Sequence, residues 1–256
     1  MSGRGYQFGY SDQAAAMYDM EMRERKARTM VAVLADHYGR EKLGALAVLT
    51  VGGSTGALDN HLADHLGTVN SVDIDAPAVI YAQGTYHKPN LHFSVGDAMQ
   101  LAFADASFDV VICSQVYEHV PSAERMMEQI FRVLKPGGVC YFAANNRLMW
   151  NEPHYHLPLL SVVPRPLAHL YLRATGRGAH YYEKHYSYWG LRRLTRRFVV
   201  YDYTVGIAGD PERYAAGYML RPGSPKAAVA TFMSRRLRWL MPGYIWLLEK
   251  PAAGGS

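Results

Sequence analysis

Leu49-Thr50-Val51-Gly52-Gly53-Ser54-Thr55-Gly56 is the stretch on which the fold turns. The apolar run Ala45–Val51 leads into it, and Ala57–Leu66, a helix-compatible run, leaves it. The shortness of the first run and the glycines behind it favour a buried strand. Small residues between a strand and a helix let backbone come close to a ligand. A dinucleotide fingerprint requires glycine at its first, third and sixth positions. Counted from Gly52, those positions hold Gly52, Ser54 and Ala57, which disfavours NAD or FAD. No Gly-Lys-Ser/Thr follows, so a P-loop is excluded. Taken alone, the segment is equally a tight turn with no ligand.

Outward from this turn, strands and helices alternate. Thr68–Ile74 reads as a strand, Ala76–Gln83 as a helix, and Leu91–Val95 and Phe108–Ser114 as strands. Ala123–Leu134 reads as a helix ended by Lys135-Pro136-Gly137-Gly138, before the strand Val139–Ala143. Such alternation predicts βαβ units and a parallel sheet. Upstream, residues 12–38 read as one helix, capped by Ser11 or Asp12 and ended by Gly39. Downstream, residues 150–186 are rich in Pro, His, Tyr and Arg and show no clear strand. Tyr188–Arg197 and the Arg-rich Lys226–Leu240 read as helices, and Phe198–Val205 and Tyr244–Leu248 as strands.

Two carboxylates fall at strand ends. Asp73 comes about 20 residues after the glycine turn, where a carboxylate accepts hydrogen bonds from ribose hydroxyls. Asp97, in Val95-Gly96-Asp97-Ala98, is placed to accept from an adenine amino group. Each alone is also an ordinary cap or turn residue. Together with the turn they outline an adenosine pocket on one sheet edge, where open α/β sheets bind ligands.

Gly52–Gly56, Asp73, Gly96-Asp97, Phe108-Asp109-Val110-Val111, Glu118-His119-Val120 and Leu134-Lys135-Pro136-Gly137-Gly138 occur in a fixed order. That ordered set resembles the class I S-adenosylmethionine (SAM)-dependent methyltransferases over roughly residues 40–145. The resemblance implies an α/β, Rossmann-like fold: a seven-stranded, mostly parallel sheet with an antiparallel last strand and helices on both faces. It implies SAM as cofactor and S-adenosylhomocysteine as product. Gly52, Gly53, Ser54 and Gly56 would lie beneath the methionine part, Asp73 and Ile74 at the ribose, and Asp97 and Ala98 at the adenine. Ser114 and Gln115 would face the sulfonium. Thr50 stands where the family usually has an acid, and Ser54 where a glycine is common.

Composition sets the remaining bounds. The 256 residues are 49% hydrophobic and 19% charged, enough for a sizeable core. No apolar run approaches the roughly 20 residues of a membrane span, and Met1–Tyr10 has no signal-like stretch. Cys113 and Cys140 sit in apolar runs, as buried thiols of a reducing, cytoplasmic compartment would. Residues 1–140 hold 11 Lys+Arg against 16 Asp+Glu, a net of −5, and residues 141–256 hold 16 against 6, a net of +10. The basic part is either a solvated face or a surface for an anionic acceptor, a membrane or nucleic acid.

Methyl transfer needs alignment and exclusion of water more than a fixed catalytic motif. Where a base is used, His119 is the first candidate, with His154 and His156 behind it. Some quinone O-methyltransferases hold a metal near the Glu118-His119 position. Gln115 stands where a carboxylate would be expected, and no Cys or acidic cluster is evident near His154-Tyr155-His156, so no metal is predicted. The division expected is an N-terminal helical lid (1–40), a SAM-binding core (41–146), an acceptor-site insertion or lid (147–187) and the rest of the domain (188–256). The acceptor expected is a small molecule, anionic or sugar-containing, or a secondary metabolite. A quinone or lipid methyltransferase in peripheral contact with a membrane, and a non-catalytic SAM-fold binder, are the rival readings. With no Asn-Pro-Pro-Tyr-like element, nucleic acid is disfavoured.

Overall fold

The computed structural model describes residues 5–13 and 18–252. A 3-10 turn over Gly5–Gly9 leads into α1 (Tyr10–Gln13), and α2 runs over Met20–Tyr38. The single helix expected over 12–38 is therefore two, and residues 14–17 of that expectation lie outside the described residues. Asp19 caps α2 by accepting the Met22 N–H at 3.0 Å, a competing start that Ser11 and Asp12 masked. The buried face of α2 holds Ala27, Met30, Val33 and Leu34, and Gly39 ends it at φ 90°.

The core follows as β1 (Ala47–Val51), α3 (Ala57–Leu62), β2 (Thr68–Asp73), α4 (Ala76–Thr85), β3 (Leu91–Val95) and β4 (Phe108–Ser114). Next come α5 (Ala123–Val133) and β5 (Leu134–Asn145). Lys135-Pro136-Gly137-Gly138 does not separate helix from strand; it lies inside β5, at a register shift opposite Phe108 and Val110. Ser122 caps α5 by accepting the Arg125 N–H at 3.2 Å. Its apolar face, Ala123, Met126, Met127, Ile130 and Val133, follows helical spacing and is buried. Ser122→Ala should cost about 1 kcal/mol, read as a loss of roughly 2–4 °C in a thermal melt.

The chain then forms a small hairpin, β6 (Asn151–Glu152) with β7 (Leu157–Pro158), and α6 (Arg165–Ala174). The insertion has its own apolar centre of Leu157, Leu160, Ala168, Leu172 and Tyr181. Its two ends meet where the Arg147 N–H donates to the Tyr186 carbonyl at 2.9 Å. The last elements are α7 (Tyr188–Leu194), β8 (Val199–Asp202), α8 (Tyr203–Gly209), α9 (Pro225–Arg236) and β9 (Gly243–Glu249). The strand expected over Phe198–Val205 stops early because Asp202 turns cap, accepting the Thr204 N–H at 3.0 Å.

The sheet has seven strands in the order β3-β2-β1-β4-β5-β9-β8, with β9 antiparallel to both neighbours. This is the expected Rossmann-like architecture. One apolar core lies on the α5 and α7 face and the other on the α2, α3 and α8 face. Cys113 and Cys140 are buried and unlinked, and burial raises both thiols above their ordinary range. Among the described residues, no helix is long and apolar enough to cross a membrane.

Candidate active site

Register brings the strand tips together. Val51 is paired with Val72 and with Cys113, so Gly52 lies between Asp73 and Ser114. Asp73 is paired with Val95, two residues before Asp97, and Ser114 with Ala143. The turn and both aspartates thus share one sheet edge.

The turn is built for close approach. Gly52 and Gly56 lie at φ 74° and 77°, and Ser54 adopts φ 52°. A Cβ on Gly52 would stand 2.6 Å from Val116, and one on Gly56 would stand 2.7 Å from the Phe93 ring. Asp73 Oδ2 accepts the Ser54 N–H at 2.7 Å and Oδ1 the Asp75 N–H at 2.9 Å. Burial raises the Asp73 pKa, and these N–H donors pull against it. The turn is thereby tied to the carboxylate. Asp97 Oδ1 accepts the Met99 N–H at 2.9 Å, fixing the loop after β3.

Asp59, on α3, was not singled out in the sequence. It is fully buried beneath Gly53, where it accepts the Ser71 hydroxyl at 2.8 Å. Burial raises its pKa to about 6, while the Thr50 and Ser71 hydroxyls and the Arg23 charge lower it.

The N-terminal segment covers this edge. The Ser11 N–H donates to buried Asp75 Oδ2 at 2.8 Å. Tyr10 packs against His119 with ring centroids 5.3 Å apart. Ser114 and Gln115 end β4; Gln115 sits at φ 61°, and its amide pairs with Asn145 through bonds of 2.6 and 3.3 Å. Beside Ser114 and Gln115 opens a cavity of about 430 Å³, lined mainly by apolar side chains such as Met30, Ala143, Ile207 and Met233, with Lys26 among its walls.

The histidines of the loop after β4 and of the insertion gather into one cluster. His119 and His154 pack edge to face at 4.9 Å. His154 Nδ1 lies 2.6 Å from Glu152 Oε1, and His185 Nε2 lies 3.4 Å from the same oxygen. Burial, then the neighbouring His154 and His185, push the His119 pKa down to about 3. Burial pulls His154 down too, but its bond to Glu152 outweighs that and leaves it raised. His156 is exposed in the hairpin and is not brought to this cluster. The acidic partners that the sequence did not show around His154 are Glu152 and Glu183. Their signal was three Glu/His pairs: Glu118-His119, Glu152-Pro153-His154 and Glu183-Lys184-His185. Part of the basic surface is simply packed: Arg197 lies 3.9 Å from the centre of the Phe131 ring and Arg192 5.9 Å from that of Trp246.

Residues 49–142 match the family model described as a methyltransferase domain. The ubiquinone biosynthesis O-methyltransferase of Psychrobacter arcticus is 31% identical over 159 residues, 59% of this chain and 58% of that one. The sterol 24-C-methyltransferase of Aspergillus fumigatus is 37% identical over 114 residues, 41% of this chain and 30% of that one. The chain therefore spans under two thirds of these curated relatives. In fold it is similar to a chain from the complex of a methyltransferase activator with its methyltransferase candidate from Haloferax volcanii. That chain has a TM-score of 0.61 at 18% identity, over 98% of this chain and all of that one. A SAM-dependent methyltransferase from Mesorhizobium loti gives 0.54 at 15%, over 81% and 92%. With the glycine turn and the two aspartates on one edge, residues 49–142 form a methyltransferase domain of the class I SAM-dependent type. The insertion between Arg147 and Tyr186, which carries Glu152, His154, Glu183 and His185, lies outside the residues matched.

Proposed function

We propose that the chain moves a methyl group from SAM to an oxygen or nitrogen of a small molecule with an apolar body. The observation that carries this is the apolar cavity beside Ser114 and Gln115, at the strand tips where the reactive sulfonium would lie. It favours the quinone or lipid alternative over a sugar acceptor. The names of the similar proteins, a ubiquinone-pathway and a sterol methyltransferase, point the same way.

In this reading the missing Cβ atoms of Gly52, Gly53 and Gly56, with small Ser54, make room for the methionine part. Asp73 and Ile74 hold the ribose, and Asp97 and Ala98 the adenine. Ser114 and Gln115 border the methyl group, and the Gln115–Asn145 pair keeps that wall in place. The family's SAM supplies an activated methyl, so the protein's task is alignment and exclusion of water. Residues 1–40 and 147–187 act as lids over the core 41–146, and 188–256 completes the domain. His119, His154 and His156 are not among the residues lining the cavity, so no histidine is assigned as the base. The reading places the reaction in the cytoplasm, with S-adenosylhomocysteine as product.

The test is methyl-labelled SAM offered with a polyprenylated catechol, a sterol and a nucleotide sugar. Label should enter the catechol or the sterol. Label found on the nucleotide sugar alone defeats the apolar reading. Ala143→Trp, which fills the cavity, should raise the acceptor KM about tenfold or more while calorimetry shows SAM affinity unchanged.

A further inference from the structure

We propose that His119, His154 and Glu183 bind one divalent first-row transition-metal ion, with Glu152 positioning His154. Ligand atoms of the three residues lie within 4.8 Å of one another. They come from the loop after β4, from the β6–β7 hairpin and from the segment returning to α7. The Lys184 N–H, donating to the Glu118 carbonyl at 2.9 Å, holds the last beside the first.

Glu152 is already spent. Its Oε1 faces His154 Nδ1 and His185 Nε2, and its Oε2 accepts the N–H groups of His154 and Tyr155 at 2.8 and 2.9 Å. A carboxylate holding one imidazole nitrogen orients the other toward an ion. Glu183 is less engaged, its hydrogen bond being to the Tyr155 hydroxyl. Its Oε1 lies 3.9 Å from His119 Nδ1, too far for a hydrogen bond. Two ligands bonded to one ion at about 2.1 Å stand roughly 3–3.5 Å apart, so a small inward movement closes the set. Glu183 Oε2 and both carboxylate oxygens of Glu118 are buried without a hydrogen-bond partner. Glu183 is 4% exposed and Glu118 1%, and no lysine or arginine among the described residues is ion-paired with them. Buried, uncompensated carboxylates are costly, and a dication compensates them.

Two imidazoles and a carboxylate suit zinc, iron, cobalt, nickel or manganese better than magnesium or calcium. Three protein ligands leave a coordination position open, beside His119 and His154, whose side chains keep 17% and 18% exposure. The inference stands apart from the methyl-transfer reading, because metal uptake is read without turnover.

The experiment strips the full chain with a chelator and titrates it with Co²⁺, followed by visible absorption and then displacement by Zn²⁺. One equivalent of Co²⁺ should enter with d–d bands, and Zn²⁺ should erase them. His154→Ala and Glu183→Gln should abolish the bands. Glu152→Gln should weaken binding about 10–100-fold, and His156→Ala should leave it unchanged. Circular dichroism of each variant establishes that it has folded. Wild-type protein that takes up no Co²⁺ overturns the proposal, as does equal binding by the folded His154→Ala or Glu183→Gln variant.

Discussion

Asp73→Ala lowers the affinity for SAM at least tenfold in calorimetry. The carboxylate ends β2 at the sheet edge, beside Gly52 on one side and two residues from the level of Asp97 on the other. Two of its acceptor sites hold the Ser54 and Asp75 N–H groups. An ionised carboxylate has about four such sites; with the Ile74 N–H also bonded to it, acceptor capacity for a ribose hydroxyl remains. Hydrogen bonds to a charged group are worth about 1.5–3 kcal/mol each, and tenfold in affinity is about 1.4 kcal/mol. Alanine also unties Ser54, so the turn loosens and the loss exceeds that of one bond. Asp73→Asn separates the two effects: one oxygen still accepts, and affinity should fall between alanine and wild type. Asp64→Ala, which removes an exposed carboxylate paired with Lys88 at 2.6 Å, should change nothing. Unchanged affinity in Asp73→Ala refutes the ribose assignment.

What the sequence reveals of this edge is what is local. β3 and β4 are continuous short runs with turn residues on both sides, and their bounds are as expected. Gly52, Asp73 and Asp97 each lie at or within two residues of a strand's end, so a parallel sheet puts them side by side without further information. Elements fail where one side chain decides. Val199-Val200-Tyr201 runs on into Tyr203-Thr204-Val205 with no change of apolar character, and only the Asp202 cap ends the strand. The His/Glu cluster is non-local in another sense. Each Glu/His pair reads as a polar loop by itself, and the pairs meet because Arg147 closes the insertion onto Tyr186. Asp59 was hidden because an acid in a helix's first turn ordinarily faces water. Here Gly53 and Ser71 are small enough for it to lie beneath the glycine turn.

That burial has a price in stability which Asp59→Asn should reveal. Burial leads the shift and sets the folded pKa at about 6, against an ordinary 3.8. The folded value is above the unfolded one, so folding favours the protonated acid. This stabilisation is complete below pH about 3.8 and is lost as pH rises through about 6. At 1.36 kcal/mol per unit, the gap of roughly two units amounts to about 3 kcal/mol. Asparagine keeps the shape and cannot ionise. Its unfolding free energy relative to wild type should therefore climb by about 3 kcal/mol between pH 4 and 7 and stay level above. Urea melts at each pH measure this, and every other titrating group cancels in the difference. A difference that does not change with pH would mean that Asp59 ionises as freely as in water. The expected rise would instead show that the fold tolerates a destabilising charge under Gly53.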